Sequence, residues 1–212
     1  MTVSVGSSGE VTVVLFSSVT GAAVDFRGPA LGTRETDLLG PENLVQRIDA
    51  LCFSSGGPAG LAAADGVMRW LSEHGLGFPV GAEPHEVVPI VPAVTVASEA
   101  PGTAEDGYAA CEAASELDAV GEVWALAVGS TGVVVVDAVL SKAECKRLTV
   151  SAQDGLIRAT GRGGTVFAVA TGPRELPSEV MPRAVALNAL CTAASRALEV
   201  SISTDGRAPS ST

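Results

Sequence analysis

Short runs of Val, Leu, Ala and Phe recur along this chain, and between them stand longer stretches whose apolar residues return every three or four positions. The first pattern predicts half-buried or buried strands, the second amphipathic helices. Val11 to Phe16 and Gly21 to Phe26 read as two strands joined through a Ser-Ser-Val-Thr turn into a hairpin. Glu42 to Ile48 carries a short helical pattern behind Pro41, which stands where a first helical turn accepts proline. Ala50 to Phe53 reads as a short buried strand. Gly60 to His74 reads as a helix closed by Gly75. Val87 to Val96 is extended and interrupted by proline, which suits an edge strand or an irregular connection.

The second half repeats these signals. Thr103 to Leu117 reads as a helix with Glu105 and Asp106 in its first turn, where the helix dipole favours them. Glu122 to Val128 and Val133 to Val139 are strands separated by Gly129-Ser130-Thr131-Gly132, which is hairpin chemistry. Ser141 to Ile157 is helical, with Ser141 as N-cap and Glu144 at the capping-box position. Gly164 to Ala170 is a strand, and Pro182 to Leu198 an Ala-rich helix. Helices alternating with strand pairs point to a layered α/β sandwich rather than a doubly wound parallel sheet. One domain is expected over residues 1–204, followed by a disordered tail, 205–212.

Composition narrows the function classes. A formal charge of −11, with no compensating basic patch, argues against nucleic acid or an anionic membrane as partner. The N-terminal segment has no positively charged n-region and no long apolar core, and uninterrupted apolar runs fall well short of the ~20 residues of a membrane helix. The cytoplasm is the expected compartment. Cys52, Cys111, Cys145 and Cys191 are scattered, and His74 and His85 stand apart, so reduced buried thiols are expected and no metal site. No dinucleotide or phosphate-loop glycine pattern is present, and no cofactor is expected.

Charge is concentrated in one place, the loop after Asp25 that holds Arg27, Arg34, Glu35 and Asp37. Arg34, Glu35 and Asp37 suit either an internal ion-pair network or contact with a substrate. Gly56 and Gly57, in the loop that opens the helix at Gly60, suit either backbone N–H donation to an anion or close packing of helix on sheet. Glu122 and Trp124 share one face of their strand by alternation. That places a carboxylate beside an aromatic wall, a pair able to line a cavity and act as acid or base.

Several motifs occur in a fixed order: Gly32-Thr33-Arg34-Glu35-Thr36-Asp37-Leu38-Leu39, the glycine turn at Ser55 to Leu61, Ala64-Asp65-Gly66-Val67-Met68-Arg69-Trp70, and Val88-Pro89-Ile90-Val91-Pro92. Gly107-Tyr108-Ala109-Ala110-Cys111 and Thr165 to Gly172 follow. From about Val11 to Gly172 this order resembles the L-aminopeptidase/D-esterase family of self-cleaving, N-terminal-nucleophile-like peptidases. The resemblance implies an αββα sandwich with mixed or largely antiparallel sheets, a homo-oligomer, and removal of N-terminal residues from small peptides, amides or esters. It also implies cleavage before a Ser or Thr that opens a strand. The matching position is Ser130, with Thr131 as the alternative in register; a plain hairpin turn accounts for the same residues.

Three departures from the family pattern stand out. Its long Gly-rich segment before the cleavage point is missing between Gly121 and Gly129. Glu122 occupies the place of the oxyanion-binding Asn. Arg162-Gly163-Gly164 replaces an acidic pair around a glycine. These point to a divergent enzyme acting on a small-molecule substrate through Ser130, to an acid/base enzyme using Glu122 without self-cleavage, or to a non-catalytic ligand-binding homologue.

Overall fold

The computed structural model describes residues 3–28, 31–83, 85–97, 100–117 and 121–205. In chain order the strands and helices are β1 (Val3–Ser8), β2 (Val11–Phe16), β3 (Gly21–Phe26), β4 (Gly32–Arg34), β5 (Ala50–Ser55), α1 (Ala63–Glu73), β6 (Phe78–Pro79), β7 (Val87–Val88) and β8 (Ala93–Val96). Then come α2 (Ala104–Glu112), β9 (Ser115–Glu116), β10 (Val123–Val128), β11 (Thr131–Val136), α3 (Lys142–Thr160), β12 (Thr165–Ala170) and α4 (Val180–Asp205). Short 3-10 turns cover Thr36–Leu39 and Gly57–Ala62. Contacts divide the described chain into two compact units, one built from residues 3–19 and 31–117, the other from 20–28 and 121–205.

The first unit is a six-stranded sheet in the order β4-β8-β5-β2-β1-β9 with α1 and α2 against it. All its pairings are antiparallel except β5 with β8. Val11, Val13, Ala50, Cys52 and Ala93 offer one face to Ala63, Ala64, Val67 and Leu71 of α1 and to Ala110 and Cys111 of α2. Glycine lets the two helices touch: a Cβ on Gly66 would lie 1.7 Å from the Ala104 carbonyl oxygen, and one on Gly107 2.0 Å from that of Ala63. The Thr103 hydroxyl accepts from the Asp106 N–H while the Asp106 carboxylate accepts from the Thr103 N–H, closing a capping box at the start of α2.

The second unit is the sheet β10-β11-β12-β3 with α3 and α4 against it. β10 and β11 are antiparallel, β11 and β12 parallel, and β12 and β3 antiparallel. Leu148, Leu156, Leu190 and Leu198 are buried among Val134, Val136, Val166 and Ala168. Each such leucine contributes about 1.5–3 kcal/mol of burial. The Ser141–Glu144 capping box forms as the sequence predicts, and Gly161 ends α3 in the left-handed conformation at φ 74°. In α4 the span Val180–Ser203 has a mean hydropathy of 1.2 and by length and composition could cross a membrane; here Leu187, Leu190, Ala194 and Leu198 join the core of this unit.

Each unit thus layers a helix pair on a sheet, and the fold is α/β with mixed sheets. Three local expectations are corrected. β2 and β3 do not form a hairpin: both edges of β2 are taken by β1 and β5, so β3 pairs with β12 instead. Glu42 to Ile48 is not helical: only Ile48 is buried, while Leu44, one turn before it, is 94% exposed, so no element covers the face a short helix would need to bury. Thr103 to Leu117 is not one helix: α2 ends at Glu112, because Ser115–Glu116 pairs along the open edge of β1 as β9. Of the expected tail, residues 206–212 lie outside the described residues, and Asp205 belongs to α4.

Candidate functional site

Ser130 stands in the two-residue turn between β10 and β11, where Val128 and Thr131 face each other across the ladder. Gly129 has φ 58°, and Ser130 does not share that positive φ. A positive φ at the first of two turn residues is the hairpin form that favours glycine there. Thr131, buried at the start of β11, donates its hydroxyl to the Val128 carbonyl at 2.7 Å, which ties the turn down. The Ser130 hydroxyl has no hydrogen-bond partner among the described residues.

The neighbouring start of β12 is shaped to this turn. A Cβ on Gly164 would lie 1.8 Å from the Ser130 carbonyl oxygen, so only glycine fits. Gln153 of α3, fully buried, fixes Gly164 in place: its amide donates to the Gly164 carbonyl at 2.8 Å and accepts from the Gly164 N–H at 3.2 Å. The same amide donates to the Asp25 carbonyl at 3.2 Å. Asp25 in turn meets Lys146 at 2.7 Å and Arg27 at 3.2 Å. Sequence reading missed Gln153 and Lys146; the signal for Gln153 was an amide among the apolar positions of a helix.

Glu122 lies at the other end of this hairpin. The six steps from Glu122 to Val128 span about 20 Å of strand, so the structure does not bring Glu122 and Ser130 together. Glu122 is exposed and pairs with Arg174, Oε1 to Nη2 at 2.5 Å. That contact is one of charge, since the Arg174 Nη2 meets no hydrogen-bond geometry, while its Nε donates to the Asp137 carbonyl at 3.0 Å. Trp124, on the edge strand β10, lines a shallow groove of about 470 Å³ with Arg196, Ala197 and Val200 of α4.

The charged loop belongs to the first unit. Arg34 donates to Asp65 of α1 at 2.5 Å and to the Met68 sulfur at 3.0 Å, with Glu35 3.9 Å away. Glu35 takes the left-handed conformation, φ 55°, and its Oε2 accepts from the N–H of the buried Val91 at 2.8 Å. These contacts join the loop to α1 and to the segment before β8. Asp37 is exposed, and its backbone carbonyl accepts from the Gly40 N–H and from Asn43. Gly56, φ 84°, lies against Pro101, whereas space is open beside Gly57.

Burial pushes the thiols of Cys52, Cys111 and Cys145 up to about 12, so they are protonated and unreactive near neutrality. Among the described residues no three His, Cys, Asp or Glu side chains converge as a metal site would require.

The sequence model of Peptidase family S58 matches residues 5–132 and 105–205. An uncharacterized aminopeptidase of Mycobacterium leprae is 48% identical over 128 residues, which cover 58% of this chain and 34% of the relative's length. The chain therefore matches about a third of that relative. Uncharacterized aminopeptidases of Mycobacterium bovis and Mycobacterium tuberculosis are each 34% identical over 261 residues, covering 80% of this chain and 75% of theirs. An aligned span of 261 positions exceeds the 212 residues here, so those relatives carry an internal segment that this chain lacks. By both matches, the chain belongs to Peptidase family S58, the L-aminopeptidase/D-esterase-like peptidases.

Proposed function

We propose that this chain is a hydrolase of amide or ester bonds in small molecules, with Ser130 as its nucleophile. The observation that carries this reading is the place of Ser130, an unpartnered hydroxyl in the turn that opens β11. Membership in a peptidase family supports hydrolysis, and the relatives' names as uncharacterized aminopeptidases support an amide target.

The chemistry starts with self-cleavage. Ser130 Oγ adds to the Gly129 carbonyl carbon, the Ser130 nitrogen leaves as an amine carrying the hydroxyl proton, and an ester joins the two residues. Water hydrolyses that ester to a Gly129 carboxylate and an N-terminal Ser130. The new α-amine, with an ordinary pKa of about 7.7–8.0, then serves as base for its own hydroxyl. Gly164 and Gln153 hold the turn from beneath.

The intact mass of the purified chain tests this. Two fragments divided between Gly129 and Ser130 are expected; a single species of 21.2 kDa overturns self-processing. A second reading is favoured by the segment that the relatives carry and this chain lacks. In it the chain stays whole and performs non-hydrolytic acid/base chemistry, a cyclisation or isomerisation, through the exposed Glu122. That reading expects the uncleaved mass together with turnover that Glu122→Gln abolishes.

A further inference from the structure

The first unit holds a cleft that no part of the hydrolytic reading uses. It has two adjoining lobes, of about 100 and 380 Å³, which share the lining residues Phe16, Ser17, Asp49 and Gly77. The larger lobe is walled by Leu15, Phe16, Trp70, Leu71 and Leu76, and Asp49 is its one charged lining group. The smaller lobe adds Arg47. A few charged groups against an apolar wall is the usual make-up of a small-ligand site, and the larger lobe is of ordinary ligand size.

The two charged groups of the cleft form no ion pair with each other. Asp49 Oδ2 accepts from the Ile90 N–H at 2.8 Å, which fixes the carboxylate, while Oδ1 has no hydrogen bond among the described residues. The Asp49 backbone is held as well: its N–H donates to the Ile90 carbonyl at 2.9 Å and its carbonyl accepts from the Phe16 N–H at 3.0 Å. Arg47 lines the same cleft, yet forms no ion pair with Asp49 or any other described residue. Burial raises the Asp49 pKa, and the nearby Glu35 charge adds to that, against the Ile90 hydrogen bond and Arg47. A cation placed on Oδ1 offsets that penalty.

We propose that this cleft binds a free α-amino acid with an apolar side chain. Its carboxylate meets Arg47, its ammonium meets Asp49 Oδ1, and its side chain enters the larger lobe between Leu15, Trp70 and Leu76. One carboxylate and one guanidinium, close but unpaired, match a zwitterion whose two charges are separated by a single carbon. A plain amine leaves Arg47 unused, and a plain carboxylate leaves the half-buried Asp49 without its counter-charge. The site lies within the first unit and does not depend on Ser130 being a nucleophile.

Titration calorimetry on the full chain tests the proposal with L-phenylalanine, 3-phenylpropionate and 2-phenylethylamine as probes. Phenylalanine is expected to bind saturably below about 10 mM, with each single-charge analogue weaker by about tenfold. Arg47→Ala and Asp49→Asn should each weaken phenylalanine by about tenfold, as loss of one charge partner does. Ser130→Ala should bind it as the wild type does, which separates this site from the hydrolytic one. Because Asp49 also supports Ile90, the exposed Arg47 supplies a variant that folds independently of that contact. Absence of saturable phenylalanine binding overturns the site. Equal affinity for phenylalanine and 3-phenylpropionate overturns the role of Asp49, and unchanged affinity in Arg47→Ala overturns the role of Arg47.

Discussion

Glu122 and Arg174 form an ion pair, Oε1 to Nη2 at 2.5 Å, at the end of the β10–β11 hairpin remote from Ser130. Both side chains are well exposed, and such pairs contribute about 0.2–1 kcal/mol. Glu122→Gln should therefore unfold in urea within about 1 kcal/mol of the wild type. Its separation from Ser130 implies that hydrolysis stays within about twofold, whereas loss of a general acid or base costs about 10²–10⁴-fold. A loss of that size would favour the acid/base reading over the nucleophile.

Ser130→Ala and Gly164→Ala separate chemistry from support. Ser130 is in a turn and its hydroxyl bonds to no described residue, so its removal should leave stability within about 0.5 kcal/mol. Hydrolysis and self-cleavage should both disappear. A methyl on Gly164 has to push the Ser130 carbonyl aside, a strain of about 1–3 kcal/mol. Gly164→Ala should therefore lose both stability and cleavage, read by thermal unfolding and intact mass on the same sample.

Glu35 combines an unfavourable backbone with a needed side chain. Glu35→Gln keeps an acceptor for the buried Val91 N–H and should cost under about 1 kcal/mol. Glu35→Ala leaves that donor without a partner and should cost about 1–3 kcal/mol. Glu35→Gly also loses the acceptor but relaxes the φ of 55°, so it should be the more stable of these last two. Denaturant midpoints of the three variants give the ranking; if Glu35→Ala matches Glu35→Gln, the Val91 bond contributes nothing.

Glu144 joins α3 to α4 by accepting from Arg183 at 2.6 and 3.0 Å. Those hydrogen bonds, helped by Ser141 and opposed by burial, bring its pKa from 4.5 to about 2. A carboxyl with a lowered folded-state pKa stabilises above its unfolded value and loses that contribution as pH falls. The window here runs from about 4.5 down to about 2. Glu144→Gln should be less stable than the wild type by about 1.5–3 kcal/mol at pH 7, the range for hydrogen bonds to charged groups. The gap should close as urea titrations move down through that window. A gap independent of pH would mean that the pair acts through packing alone.

Local signals were strong enough to determine much of this protein from sequence. Apolar periodicity located α1, α3 and β12, and Ser141 with Glu144 announced a cap that needs only four consecutive residues to form. The ordered motifs from Gly32 to Gly172 identified the family. Apart from the β10–β11 hairpin, strand partners were not legible, because most pairing is a contact between residues far apart in the chain: β2 and β3 are neighbours in sequence yet enter different sheets. The helical pattern at Glu42 failed for a related reason, since a short helix forms only where another element covers its face.

The same division runs through the site. Sequence singled out Ser130, Glu122 and Arg34, and the strand read over Glu122 to Val128 already holds Glu122 a strand's length from Ser130. Only the fold carries Gln153 from α3 to Gly164, and Glu35 to the N–H of Val91. Residue chemistry is a local property and can be read one position at a time. Distance, burial and the choice of hydrogen-bond partner belong to the packed chain, and they decided which charges became structural and which were left open to a ligand.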